Sequence, residues 1–216
     1  MRKAIEKSTS RKLFFILHCY GSHFSYHQRY PREFAYFQPD NDVAIAKQHR
    51  PMLVNAYDNS VRYTDYVLSK IIDYLGSLEN TSSALLYCAD HGEDLIDDHR
   101  ERFLHASPTT TAYQLYVASL AWFSESYRER FPEKVAAAEA NATAPATTHA
   151  LFHTMADMAS IRGRFLTTKV SLVSPDFDRT APRRYLNDHN EAVPYRKTGL
   201  RPEDMEVFRR YGIELN

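Results

Sequence analysis

The chain has 216 residues, enough for one substantial domain with a continuous core and too few to argue for two. Lys and Arg total 27 and Asp and Glu total 27, so the charge balance gives no pull toward nucleic acid or an acidic surface. Ten histidines and 13% aromatic residues stand out beside only six glycines.

The opening MRKAIEKSTSRK is charged and is followed by the short apolar run Leu13 to Leu17 before His18. That run is too brief for a signal peptide or a membrane span, so these residues by themselves read as soluble. LFFIL (13–17) has the pattern of an interior strand in a layered α/β domain. Because it comes so early, a core strand here implies neighbouring strands upstream. Residues 21–51 are polar and aromatic, punctuated by Pro31, Pro39 and Pro51, and read as loop and short turns, with Pro51 opening the next helix. Leu53, Tyr57, Val61, Thr64, Leu68, Ile71, Ile72 and Leu75 recur at spacings of three and four, predicting a helix with one apolar face that stops near Gly76.

ALLYC (84–88) and LYVASLAWF (115–123) are two further interior-type strands. The Ala- and Glu-rich stretch after Glu125 predicts a surface helix to about Ala140 and then a loop. Asn141-Ala142-Thr143 has the form of a glycosylation acceptor but reads as an ordinary loop. Thr147 or Thr148 caps a helix whose buried side is Ala150, Leu151, Thr154, Met155, Met158 and Ile161, the methionines serving as core. FLTTKVSLV (165–173) supplies small strand candidates, and PEDMEVFRRYG (202–212) a short final helix. Cys19 and Cys88 flank apolar runs and are expected as buried thiols without a disulfide framework. The alternation of strands and helices predicts an α/β/α sandwich, in which ligands gather beyond strand ends.

Chemistry concentrates after the strand 84–88. Asp90 and His91 offer a hard oxygen and an imidazole nitrogen, a pair suited to zinc or manganese. Adjacent strand residues face opposite ways, so both reach one ion only if the backbone turns, which Gly92 eases. His105 is either a further ligand or a group holding an anion. Between them run Glu93, Asp94, Asp97, Asp98, His99, Arg100, Glu101 and Arg102, read as a solvated charged loop. In LHCYGSHFSYHQRYP, His18 and His23 follow the first apolar run and can converge on the same strand ends, while His27, Arg29 and Tyr30 meet either a polar headgroup or water. No serine-hydrolase elbow, phosphate-binding Gly-rich loop or dinucleotide fingerprint is present, leaving metal-assisted transfer or hydrolysis at phosphorus or sulfur.

LHCYGSHFSYHQRYPREFAYFQP, VNAYDNSVRYTDYVLSKIIDYL, LLYCADHGEDL with FLHASP, and LFHTMADMASI resemble, in order, blocks of the lipid A phosphoethanolamine transferases of the alkaline phosphatase and sulfatase superfamily. SLVSPDFDR and YLNDHNEAVPY are more weakly similar. The resemblance spans roughly residues 11 to 162 and implies an alkaline phosphatase/sulfatase-like α/β/α sandwich, incomplete at its N-terminus. It implies that Asp90 and His91 bind zinc, with manganese as the alternative, that His23 and His105 hold the phosphoryl or headgroup region, and that His18 lies just behind them. It further implies a two-step transfer: a threonine takes phosphoethanolamine from a phosphatidylethanolamine donor and passes it to lipid A or another lipopolysaccharide acceptor.

That threonine and its acidic metal-ligand partner lie, in the family, before the first histidine segment, and Thr9 does not match their context. The expectation is therefore a part of a longer catalytic domain, lacking the nucleophile segment and membrane region. The whole enzyme would sit in the inner membrane with this part in the periplasm, making membrane contact through the absent region. His105 opens HAS where relatives often carry HG, and the several cysteines of many periplasmic members are absent. Two rival readings are a sulfatase or phosphodiesterase relative that hands the group to water, and an inactive truncated remnant.

Overall fold

The structure, a computed structural model, describes residues 1–41, 45–105, 110–187 and 189–213. Helix α1 (Arg2–Lys7) leads into an extended segment, and the long helix α2 (Arg50–Gly76) follows, with Pro51 in its first turn as its fixed φ favours. Strand β1 (Ala84–Cys88) comes next, then the two-residue strands β2 (Asp94–Leu95) and β3 (Phe103–Leu104), and the single turn α3 (Ala112–Leu115). Strand β4 (Ser119–Phe123) precedes α4 (Glu125–Arg130), α5 (Pro132–Asn141) and α6 (Ala150–Met158). Strands β5 (Arg184–Leu186) and β6 (Ala192–Pro194) and helix α7 (Pro202–Arg210) complete the order.

Among the described residues the strands pair as three antiparallel two-stranded ladders: β1 with β4, β2 with β3, and β5 with β6. In the first, Ala84 faces Phe123 and Cys88 faces Ser119. Helices and open antiparallel ladders together make a mixed α/β fold, the class that the alternation of elements predicts.

Two buried clusters organise the chain. Phe123, Tyr127, Val135, Met158 and Val173 join β4, α4, α5 and α6 to the segment after them. Tyr26, Leu53, Ala56 and Leu95, with Phe24 and Phe103 against them, seat the histidine-rich loop and the β2–β3 hairpin on the first turns of α2. The buried stripe of α2 is Leu53, Ala56, Asn59 and Ser60, narrower than the apolar periodicity predicts, and Val61 is exposed. Asn59 is buried because its amide is fully used: Oδ1 accepts from Phe37 N at 2.9 Å, and Nδ2 donates to Phe37 O at 2.9 Å and to Asp40 at 3.2 Å. The same Asp40 accepts from the Tyr30 hydroxyl at 2.6 Å, so the RYP turn is tied to the helix.

Several expectations fail for identifiable reasons. LFFIL is not a strand: it is extended but has no ladder partner among the described residues, and Phe14 and Ile16 are 62% and 78% exposed. Apolar composition specifies a strand only where neighbours supply the other half of each hydrogen bond. Cys19, on the same segment, is exposed rather than buried, while Cys88 is half-buried. The predicted surface helix breaks at Phe131–Pro132 into α4 and α5, since proline cannot donate within a continuing helix. Residues 165–173 form a 3-10 turn at Thr168–Val170 instead of a strand. Asn141 is buried, and its amide donates to the carbonyls of Leu172 and Ser174 at 3.1 Å, an inward role for the formal glycosylation sequence.

Candidate metal and phosphoryl site

β1 ends at Cys88, and the chain turns at once through Asp90, His91 and Gly92. Gly92 is needed for space rather than for a left-handed φ. A Cβ there would stand 2.0 Å from the Tyr113 carbonyl oxygen, because the Gly92 N–H donates to Gln114 O at 2.8 Å and draws the backbones of this turn and α3 together. The next residues are pinned from the same side: the buried Asp94 carboxylate accepts from Thr111 Oγ1 at 2.9 Å and from the Gln114 side-chain amide.

The hairpin then returns the chain to its start. Asp94 pairs with Leu104 and Leu95 with Phe103, so Glu93 and His105 become neighbours at its open end. His105 Nδ1 lies 3.0 Å from Glu93 Oε1, and the His105 ring stacks on His91 with centroids 3.5 Å apart. Ligand atoms of His91, Glu93 and His105 all lie within 4.8 Å of one another, a group that could hold a metal ion. Asp90 is 89% exposed on its side chain, with Oδ2 3.8 Å from His91 Nε2. Two ligands of one tetrahedral zinc stand roughly 3.4 Å apart, so this pair needs little adjustment.

Glu93, expected within a solvated charged loop, is instead buried. Its side chain is 5% exposed. Burial pushes its carboxyl above the ordinary range, while His105, His91 and Tyr26 pull it back. The Tyr26 hydroxyl is close by, and burial followed by the Glu93 charge drives that phenol far upward. Nonetheless, the Tyr26 hydroxyl and Glu93 Oε2 are both buried atoms without a hydrogen-bond partner. A buried carboxylate oxygen outside hydrogen-bond geometry, beside two imidazoles, gives a mixed oxygen and nitrogen donor set, and that set fits zinc. The available signal was a second acid directly after Asp-His-Gly, with a histidine returning behind it.

His23 and His18 are exposed. Among the described residues no hydrogen bond, ion pair or ring contact joins either to His91 or His105. His23 Nδ1 lies 2.6 Å from Phe24 O, and Arg29 donates to the carbonyls of His23 and Phe24 at 2.7 and 2.8 Å. The loop nevertheless borders the site, since Phe24 packs edge-on against Phe103, two residues before His105, at 5.5 Å. The Ala106-Ser107-Pro108 segment that follows His105 lies outside the described residues.

The charged run is not a solvated loop throughout. The Arg100 side chain is 5% exposed, and both of its terminal nitrogens donate at 2.8 Å to Asp204 of α7, itself fully buried.

Comparison with known proteins identifies the family. The sulfatase family profile matches residues 1–161. The Kdo(2)-lipid A phosphoethanolamine 7''-transferase of Escherichia coli K12 is 36% identical over 131 residues, covering 60% of this chain and 22% of that protein. Phosphoethanolamine transferase EptA of Salmonella typhimurium LT2 is 32% identical over 166 residues, covering 74% of this chain and 30% of that protein. Among solved structures, the C-terminal periplasmic domain of phosphoethanolamine transferase EptC from Campylobacter jejuni superposes with a TM-score of 0.64 at 30% identity, covering 72% of this chain and 49% of that domain. The soluble domain of lipooligosaccharide phosphoethanolamine transferase A from Neisseria meningitidis gives 0.65 at 28% identity, covering 70% of this chain and 47% of that one. The chain thus spans less than a third of these two full-length relatives and about half of the solved domains. Among the described residues no helix is long and apolar enough to cross a membrane. The chain belongs to the sulfatase family and, within it, is similar to the phosphoethanolamine transferases.

Proposed function

We propose that these residues form the metal- and phosphoryl-binding part of a longer periplasmic, inner-membrane enzyme that moves phosphoethanolamine from phosphatidylethanolamine to lipid A or a related lipopolysaccharide acceptor. The observation that carries this reading is the buried, unpartnered Oε2 of Glu93 beside the stacked His91 and His105. Asp90, His91 and Glu93 would hold zinc, or manganese in its place. When bound, such an ion supplies Lewis-acid polarisation of a phosphoryl oxygen.

The remaining chemistry belongs to the side chains. With Nδ1 donating to Glu93, the His105 ring is oriented with Nε2 directed away from that bond, where a proton on Nε2 would let it donate to a phosphoryl oxygen. Such a donor would counter negative charge as phosphorus becomes five-coordinate. His23, on the loop braced by Arg29 and Phe24, would meet the headgroup, with His18 supporting it. The threonine that the family uses as nucleophile has no counterpart at Thr9, so the covalent step is assigned to no residue here.

The test is made in the native host by replacing Asp90 with Ala and reading lipid A by mass spectrometry beside the zinc content of the captured protein. Loss of both zinc and the phosphoethanolamine adduct is expected. A zinc-loaded variant with normal lipid A overturns the site. Release of phosphate or sulfate by the unaltered protein without an acceptor favours the hydrolytic alternative that the sulfatase relationship keeps open.

A further inference from the structure

The hairpin that brings Glu93 to His105 is only two residues long on each side. A ladder that short is marginal by itself. Ile96 and Glu101 in its loop and Leu104 in β3 have φ of 59°, 49° and 64°, conformations that non-glycine residues hold only where the surroundings enforce them.

The enforcing contact comes from the far end of the chain. Arg100, at the hairpin tip, donates from Nη1 to Asp204 Oδ2 and from Nη2 to Asp204 Oδ1, each at 2.8 Å, and its Nε donates to Asp98 Oδ2 at 2.9 Å. The same Asp204 carboxylate accepts from Ala112 N and from Arg201 N, each at 2.9 Å. One buried carboxylate therefore joins the hairpin tip, the first residue of α3 and the start of α7. α3 is also the element that holds Gly92 through Gln114 O, and Asp94 through Thr111 and Gln114. The turn that opens the Asp90–His105 segment, through α3, and the hairpin tip, through Arg100, thus both refer back to Asp204.

We propose that Arg100 and Asp204 are positioning residues for the metal and phosphoryl site, setting the placement of Glu93 and His105 relative to His91 without touching any ligand themselves. This rests on the reading of His91 and Glu93 as metal ligands. A planar guanidinium meeting a carboxylate through two parallel bonds fixes angle as well as distance, which a lysine ammonium does not. The latch is therefore a geometric device and not only a source of stability. α7 lies outside residues 1–161, where the family profile matches, so the placement of the site depends on a segment beyond that match.

The experiment uses the 216-residue chain with Arg100→Lys, Asp204→Asn, His91→Ala and the unaltered protein. Each is first checked for folding by near-ultraviolet circular dichroism, then titrated with zinc against a chromophoric chelator, and with cobalt(II) to read the visible ligand-field bands. In folded Arg100→Lys, zinc affinity should fall roughly tenfold to a hundredfold, the range found when a group supporting a metal ligand is removed. The intense bands of four-coordinate cobalt should weaken or shift. A folded Arg100→Lys with the unaltered protein's affinity and spectrum overturns the proposal, even if Asp204→Asn fails to fold. If the unaltered protein and His91→Ala bind zinc equally, the metal reading itself falls, and the latch proposal with it. A purely stabilising pair would change the folded fraction but leave the cobalt spectrum of the folded molecules as it was.

Discussion

Glu93 Oε1 lies 3.0 Å from His105 Nδ1 and 3.8 Å from His91 Nδ1, so a single carboxylate oxygen stands against both rings of the stacked pair. The two histidines should then separate by function. His91→Ala should lower zinc affinity by tenfold or more, whereas His105→Ala should leave most of the zinc in place and slow transfer. Metal analysis after desalting, beside lipid A profiling, checks both. Metal loss of equal size in the two variants would make His105 a ligand.

Glu93→Gln sets stability against function. The buried carboxylate is held above its ordinary protonation range by burial, and Oε2 has no donor, so the charge is a cost to the metal-free fold. Removing it should leave the metal-free protein as stable or more stable by about 1 kcal/mol, while zinc affinity drops. Chemical denaturation with and without zinc reads both quantities. A metal-free variant clearly less stable than the parent would contradict this account.

Gly92→Ala should be severe. The added methyl would stand 2.0 Å from a backbone oxygen that is itself fixed in α3, so no flexible side chain can yield. A loss of at least about 3 kcal/mol is expected, at the upper end of ordinary overpacking. Thermal unfolding would show it, and an unchanged midpoint would mean that the turn and α3 are not in close contact.

The carboxyls divide by environment, and stability should follow pH in two windows. Hydrogen bonds from Arg100 hold Asp98 below its ordinary 3.8. Burial alone would raise Asp204, but Arg100 and the backbone N–H groups of Arg201 and Ala112 outweigh it and hold this carboxyl low as well. A depressed carboxyl stabilises fully above its unfolded value, so this contribution is present above about 3.8 and is lost as pH falls through the lower folded values. Glu93 and Asp94 are raised, chiefly by burial, and act oppositely. Their cost is full at neutral pH and is relieved as pH falls through their folded values toward 4.5 and 3.8. Metal-free protein should therefore be most stable in mild acid and fall away steeply below 3.8, with Asp204→Asn flattening that acid limb. Unfolding midpoints across pH test it, and an acid limb unchanged in Asp204→Asn would remove Asp204 from the explanation.

Local periodicity was enough for α2, β1 and α7, because each records its structure in spacing or in punctuation such as Pro51, Gly76 and Pro202. Asp90, His91 and His105 could be picked out because unusual chemistry follows directly on an apolar run. Arg100 could not. A guanidinium within a run of charges looks solvated until its partner is known, and Asp204 lies 104 residues away. Glu93 was hidden for the same reason, since burial comes from the hairpin closing over it and leaves no trace in neighbouring residue types. LFFIL shows the converse error: its composition is that of a core strand, yet pairing is a property of neighbours.

That apolar run has a practical consequence for anyone handling the protein. Leu13, Phe14, Ile16 and Leu17 are exposed in extended backbone that makes no main-chain hydrogen bond among the described residues. Such a segment is a template for edge-to-edge pairing between molecules. Concentrating the chain should drive it into aggregates, and polar or charged replacements at Phe14 and Ile16 should raise the usable concentration while leaving the His91, Glu93 and His105 cluster, on different elements, untouched.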